Sequence, residues 1–173
     1  MAKILFIVAQ AGFRDEELSI PKEILERAKH SVKVASITRM KAVGSKGMVV
    51  QPDLAVYEAN PDFFDCIVVV GGPGSPALAE SDQVIELLVG AKAKGKLLGG
   101  ICLGPMALAK AGVLEGKEAT IFPDRKAINL IRDCGATYVA EPVVIDGDVV
   151  TADAPASASA FGKQLAEMLA GKR

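Results

Sequence analysis

Residues 94–114, KGKLLGGICLGPMALAKAGVL, put one thiol, Cys102, between an apolar run and a helix-like pattern, with glycines at 99, 100 and 104. A side chain on a tight strand-to-helix turn points out of the sheet, and flanking glycines let the backbone turn and a substrate approach. Pro105 suits a first helical turn, where its missing N–H is no loss. The positive end of that helix favours thiolate over thiol, so the placement predicts a lowered pKa and a nucleophilic sulfur at Cys102. Most free cysteines are small buried hydrophobes. Cys66, inside DCIVVV, and Cys134, late in a helix, read that way.

A partner acid is visible at Glu17. On a helix drawn through DEELSIPKEILERAKH, Glu17 shares a face with Ile20, Pro21, Ile24 and Ala28, whereas Glu16, Glu23, Glu26 and Arg27 look elsewhere. A carboxylate on an inward stripe is costly without a partner. This helix follows the first strand, so Glu17 is expected at the same sheet edge as Cys102. A desolvated glutamate of raised pKa can share a proton with a thiol and serve as general acid and base. The single histidine, His30, lies between this helix and the second strand, at the opposite edge. Glutamate therefore takes the place of imidazole. The N–H groups of Gly72, in VVVGGPGS, and of Leu103 lie on adjacent turns and are the candidate donors to a developing oxyanion.

Other chemistries find little support. Three cysteines with no C-x-x-C and no Cys/His cluster suggest neither a disulfide framework nor a metal. No phosphate-binding glycine pattern follows a strand, so nucleotide binding is not expected. Twenty basic residues nearly balance 21 acidic ones, without a basic run, which argues against nucleic acid or an anionic membrane as partner. No apolar run approaches a signal peptide or a membrane span, and a cytoplasmic location is expected.

The elements that must position these groups alternate. KILFIVAQ, SVKVASI, FFDCIVVVGG and KLLGGI read as strands. Helices follow at residues 15–30, at 80–95 with Ser81 or Asp82 as cap and Gly95 as stop, after Cys102, and at Ala127–Cys134. VGSKGMVVQPD and LAVYEA suggest a small hairpin and an edge segment, EATIF and ATYVA short strands, and PVVIDGDVVTA a hairpin turning at Asp146 and Gly147. Ala158, Phe161, Leu165 and Met168 mark a closing helix. Strand–helix alternation predicts an α/β fold with a mostly parallel central sheet covered on both faces. Half of the 173 residues are hydrophobic, and no linker or repeat interrupts them, so residues 1–173 form one expected domain.

The segments KILFIVAQAGFRDEELSIP, FDCIVVVGGPG, GGICLGPMALAKAGVLEGK and VVTADAPASASAFGKQLAEML together resemble the ThiJ/PfpI superfamily, which includes the Parkinsonism-associated deglycase and PfpI-type intracellular proteases. The resemblance runs nearly end to end. It implies a flavodoxin-like three-layer sandwich, class I glutamine amidotransferase-like, and a homodimer or higher homo-oligomer. It carries the nucleophile onto Cys102, the partner acid onto Glu17 and the backbone donors onto Gly72 and Leu103, with Gly71, Phe122 and Asp153 lining the pocket. This chain has Leu103 where many relatives have a histidine after the cysteine, and Phe122 where a branch has a histidine before proline. Asp153 replaces an arginine, Val70 a proline and Arg14 an acidic residue.

The resemblance and the Cys/Glu pair imply a cofactor-free, glyoxalase- or deglycase-like reaction on a small-molecule carbonyl or a modified protein side chain. Cys102 would add to an aldehyde while Glu17 moves protons. A redox-sensing or stress-protective role through Cys102 oxidation is the alternative. A PfpI-type peptidase or amidase, or an amidotransferase, would need a histidine that the segment around Cys102 lacks.

Overall fold

The computed structural model describes residues 1–172; Arg173, the end of the expected domain, lies outside them. The chain opens with β1 (Lys3–Ile7), β2 (Ala11–Phe13), α1 (Asp15–Arg27) and β3 (Ser31–Ser36). Short strands β4 (Ala42–Gly44), β5 (Val49–Val50) and β6 (Leu54–Ala55) follow, then β7 (Cys66–Val69), α2 (Pro76–Ala79) and α3 (Asp82–Ala93). β8 (Leu97–Ile101), α4 (Pro105–Lys110), β9 (Glu118–Ala119), α5 (Arg125–Asp133) and β10 (Thr137–Tyr138) lead to β11 (Val143–Asp146), β12 (Val149–Ala152) and α6 (Ala158–Gly171).

Seven strands make the central sheet in the order β11-β12-β8-β7-β1-β3-β6, parallel except for the β11–β12 hairpin. Successive side chains of a strand point to opposite faces. Ile4 and Phe6 of β1 therefore pack with Leu18 and Leu25 of α1 and Phe161 and Leu165 of α6. Leu5 and Ile7 face the other layer, with Leu88 of α3, Leu108 of α4 and Ile131 of α5. This is a three-layer sandwich, and it explains the unbroken apolar runs: a strand covered on both faces has no polar side. Gly99 and Gly100, inside β8, leave room on opposite faces. A Cβ at Gly99 would fall 3.0 Å from Phe161 Cζ, and one at Gly100 would fall 3.0 Å from Leu108 Cδ1.

The chain leaves β1 toward β3 on one side of the sheet and reaches β7 and β8 on the other. The crevice at the carboxyl ends of β1 and β7 is thus a topological switch point, where ligands of open α/β sheets bind. β7 and β8 are adjacent, with Val69 opposite Gly100. That register brings the turns after Val69 and after Ile101 side by side.

Several local details differ from those expected. β4 and β5 form the expected hairpin, and β2, which the sequence pattern did not signal, joins it in a separate three-stranded sheet. EATIF and ATYVA yield only the two-residue pair β9–β10, outside the central sheet. α1 runs unbroken through Pro21, and its buried stripe is Glu17, Leu18, Pro21 and Leu25, whereas Ala28, at the helix end, is exposed. Pro21 lacks the N–H that would bond to the Glu17 carbonyl one turn earlier. The last hairpin turns on Gly147, at φ +58°, and Asp148, one residue later than expected, because Asp146 is still paired with Val149. Among the described residues no helix is long and apolar enough to cross a membrane.

α6 crosses α1 closely at Gly162, where a Cβ would sit 2.9 Å from Pro21 Cα and 3.0 Å from Ile24 Cδ1. Gly162→Val is expected to lower the unfolding free energy by about 1–3 kcal/mol through overpacking, read from denaturant midpoints. Gly171→Ala, whose Cβ would meet nothing within 4 Å, is expected to cause no loss.

Candidate active site

Cys102 is the first residue after β8 and has φ +59°. This left-handed conformation costs a non-glycine residue about 1–3 kcal/mol and persists only where the surroundings over-determine it. Two backbone bonds do so here. The Cys102 N–H donates to the Ala152 carbonyl at 2.9 Å, and the Cys102 carbonyl accepts from the Phe122 N–H at 2.9 Å. Two residues on, a Cβ at Gly104 would lie 2.2 Å from the Val69 carbonyl oxygen, so the elbow closes only around glycine.

The neighbouring turn follows β7. The Gly71 carbonyl accepts from the Arg14 N–H at 2.9 Å, and the Gly74 N–H donates to the Gly12 carbonyl at 2.9 Å. Gly72 has φ +111°, and a Cβ there would fall 2.4 Å from the Arg14 nitrogen. Packing this tight brings the chain entering α1 directly over the turn. Glu17 thereby arrives beside Cys102.

Glu17 is fully buried, and its carboxylate is approached by the Cys102 thiol and the Gly71 N–H, neither of them at full hydrogen-bond geometry. Gly71 stands between the acid and the thiol. A Cβ on it would lie 2.7 Å from Glu17 Oε2 and 2.8 Å from Cys102 Cβ. Because Gly71 has no side chain, the two groups face each other. Burial pushes the Glu17 carboxyl up to about 8, against the opposing pull of the Cys102 thiol, the Gly71 N–H and the Arg14 cation.

Burial likewise pushes the Cys102 thiol up, to about 12, and the charge of Glu17 and its claim on the thiol proton act the same way. The N–H groups of Leu103 and Gly72 act against them. This corrects the lowered thiol pKa expected from the helix end. α4 has only six residues and begins at Pro105, whereas the desolvating walls and Glu17 adjoin the sulfur. The acid and the thiol titrate as one coupled pair, with the first proton leaving near pH 8.

Of the remaining residues singled out in the sequence, Leu103, Phe122 and Asp153 adjoin the Cys102 turn, whereas Cys66, Cys134 and His30 lie elsewhere. Leu103 is half-buried and packs against both core layers. Phe122, 39 % exposed, is tied to the Cys102 carbonyl through its N–H. Asp153 follows Ala152, which holds the Cys102 N–H, and its carboxylate accepts from the Ser157 hydroxyl at 2.6 Å. Cys66 is buried in the α1/α6 layer, and burial pushes its thiol up. Cys134 is half-buried at the end of α5. His30 accepts from the Ala2 N–H at 3.1 Å, where β1 begins, at the far edge of the sheet from Cys102.

Arg14 was not among the expected site residues. Its charge acts on both Glu17 and Cys102, and its guanidinium pairs with Glu16. The signal was a cation at the N-cap of α1, where a short polar side chain is usual.

A sequence profile described as the DJ-1/PfpI family matches residues 2–168. An uncharacterized protein of Methanocaldococcus jannaschii is 40% identical over 165 residues, covering 95% of this chain and 80% of that one. A protein of Pyrococcus abyssi named a deglycase is 33% identical over 165 residues, covering 95% and 98%. The crystal structure of a ThiJ/PfpI domain protein from Brachyspira murdochii superposes with a TM-score of 0.93 at 30% identity, covering 98% and 96%.

The buried acid ties stability to pH. In the unfolded chain Glu17 loses its proton near the ordinary value of 4.5, but in the folded chain it keeps the proton up to about 8. Between these values the native state binds more protons, so raising the pH favours unfolding. Relative to Glu17→Gln, the wild type is expected to lose about 1.4 kcal/mol of stability per pH unit across this window. Denaturation series at pH 5, 6, 7 and 8 would show it; parallel profiles for the two proteins would contradict it.

Proposed function

The chain belongs to the DJ-1/PfpI family, and within it we propose a cysteine-dependent enzyme acting on small 2-oxoaldehydes or their protein adducts, with Cys102 as nucleophile and Glu17 as proton carrier. One observation carries the reading: a fully buried carboxyl, with no partner at full hydrogen-bond geometry among the described residues, faces a thiol across the bare Cα of Gly71. A structural acid would be paired or exposed. The deglycase name of the Pyrococcus abyssi relative supports an enzymatic role.

The raised pKa values fit this chemistry when the pair is treated as a unit. After one proton leaves, the other sits on sulfur or on carboxyl. In the tautomer that protonates Glu17, the Cys102 sulfur carries the charge and attacks the aldehyde carbon. A C–S bond forms, the carbonyl π pair goes to oxygen, and Glu17 gives that oxygen its proton, leaving a hemithioacetal and a carboxylate. The Glu17 carboxylate then takes the C1 proton and returns it at C2 through an enediol. The aldehyde carbon is oxidised and the ketone carbon reduced, with no outside oxidant. Water cleaves the resulting thioester to a 2-hydroxy acid and frees the thiol. In this reading the N–H groups of Gly72 and Leu103, which bear on the sulfur, receive the oxyanions.

A second reading draws on the same acid. At neutral pH a Glu17 carboxyl with a pKa of about 8 is a hydrogen-bond donor, suited to a sulfinate formed on Cys102 by peroxide. Peptidase chemistry of the Cys–His kind finds no histidine at this site in one chain, since Leu103 follows the cysteine and His30 lies at the far sheet edge.

With methylglyoxal, the wild type is expected to form lactate, and Cys102→Ala and Glu17→Gln to lose activity by 100-fold or more. Equal lactate formation by wild type and Cys102→Ala removes the proposal. In the wild type, kcat/KM is expected to rise about tenfold per pH unit and level off near pH 8, as the first proton leaves the pair.

A further inference from the structure

Arg14 lies close enough to the pair for its charge to act on both Glu17 and Cys102. Its N–H is bonded to the Gly71 carbonyl, and its own carbonyl accepts from the Glu17 N–H at 3.1 Å. It is therefore fixed to the same turn that brings acid and thiol together. The side chain is about one-third exposed, with 32% of its surface open to solvent. Its Nε donates to Glu16 Oε1, which is itself partly exposed. That bond uses one of five guanidinium N–H groups. The terminal amino groups meet no protein acceptor among the described residues.

The rest of the rim differs in character. Leu103 and Phe122 are apolar, and the Asp153 carboxylate is engaged by Ser157. A neutral 2-oxoaldehyde such as methylglyoxal offers the guanidinium nothing to bind. A carboxylate matches its planar fork and takes two parallel charge-assisted hydrogen bonds.

We propose that Arg14 is a substrate-binding residue that selects 2-oxoaldehydes carrying a carboxylate at the end remote from the aldehyde. The proposal rests on the reading of Cys102 and Glu17 given above. The aldehyde carbon lies at the sulfur, the chain passes along the apolar rim, and the carboxylate reaches Arg14. Such a substrate, 4,5-dioxopentanoate, takes up one water to give 2-hydroxyglutarate and one proton, its aldehyde carbon being oxidised as its ketone carbon is reduced.

The test compares 4,5-dioxopentanoate with neutral 2-oxopentanal, which has the same five-carbon chain, at one pH. The wild type is expected to prefer the anion by tenfold or more in kcat/KM, mostly through KM, the scale of one charged hydrogen-bonded contact. Arg14→Gln is expected to bring the preference close to one, Arg14→Lys to keep part of it and Arg14→Glu to reverse it. Equal use of both compounds by the wild type overturns the proposal. So does an unchanged preference in Arg14→Gln with both rates reduced, because Arg14 would then act on the pair and not on the substrate. If the wild type turns over neither compound, or Cys102→Ala matches it, the activity assigned to the site falls as well. That result is distinct from a lost preference with turnover intact.

Discussion

A carboxyl group sealed from water with only a thiol and one backbone N–H beside it does not arise by chance packing, because desolvation costs it several kcal/mol if it is charged and somewhat less if it is neutral. Glu17 is held in that state by what surrounds it. Leu18 and Leu25, its neighbours on α1, are buried against Ile4, Phe6 and Val68 of the sheet. α6 covers the same layer and meets α1 at Gly162, where only a hydrogen fits. The helix cannot rotate to expose the acid without opening this layer. The apolar contacts of one face of the sandwich thus sustain one unfavourable placement at its rim.

That placement also bears on how a thiol with a raised pKa can react. A buried cysteine beside a carboxylate is a poor thiolate on its own account. Paired with an acid that is itself reluctant to ionise, it belongs to a two-proton unit whose first dissociation lies near pH 8. The geometry of the unit is set by backbone. The parallel register of β7 and β8 fixes the distance between the two turns, and the strained φ of Cys102 is locked by bonds to Ala152 and Phe122. Because the acceptor and the donor holding it come from β12 and from the segment before α5, the elbow draws on elements far apart in sequence.

Much of this was legible in the sequence. The apolar runs gave the parallel strands because strands covered on both faces have no alternation to obscure them. The helix at Ser81 was marked by a cap whose hydroxyl accepts from the Val84 N–H, and the glycines around Cys102 marked the elbow because the backbone needs them there. The pairing of Glu17 with Cys102 followed from the chain order, since a helix leaving β1 starts at the edge where β8 ends. Other features left no local trace. β2 is too short to show a period, and its partner lies elsewhere in the chain. The thiol pKa went the wrong way because a helix end can be read from spacing, whereas desolvation is a property of the assembled walls. Arg14 was noticed as a substitution and not as a neighbour of the sulfur, since its proximity depends on how the α1 segment folds over Gly71 and Gly72.

The entry to α1 joins three structures in four consecutive residues. Arg14 is bonded through its backbone to the Gly71 turn. Asp15 accepts from the N–H groups of Lys46 and Met48, at 3.1 and 2.9 Å, and so grips the loop between β4 and β5. Glu17 reaches the sulfur. Each tie depends on its place in a helix that advances about 100° per residue. Insertion or loss of one residue here would swing all three away from their targets together. This stretch can be edited letter by letter, but its reading frame is closed.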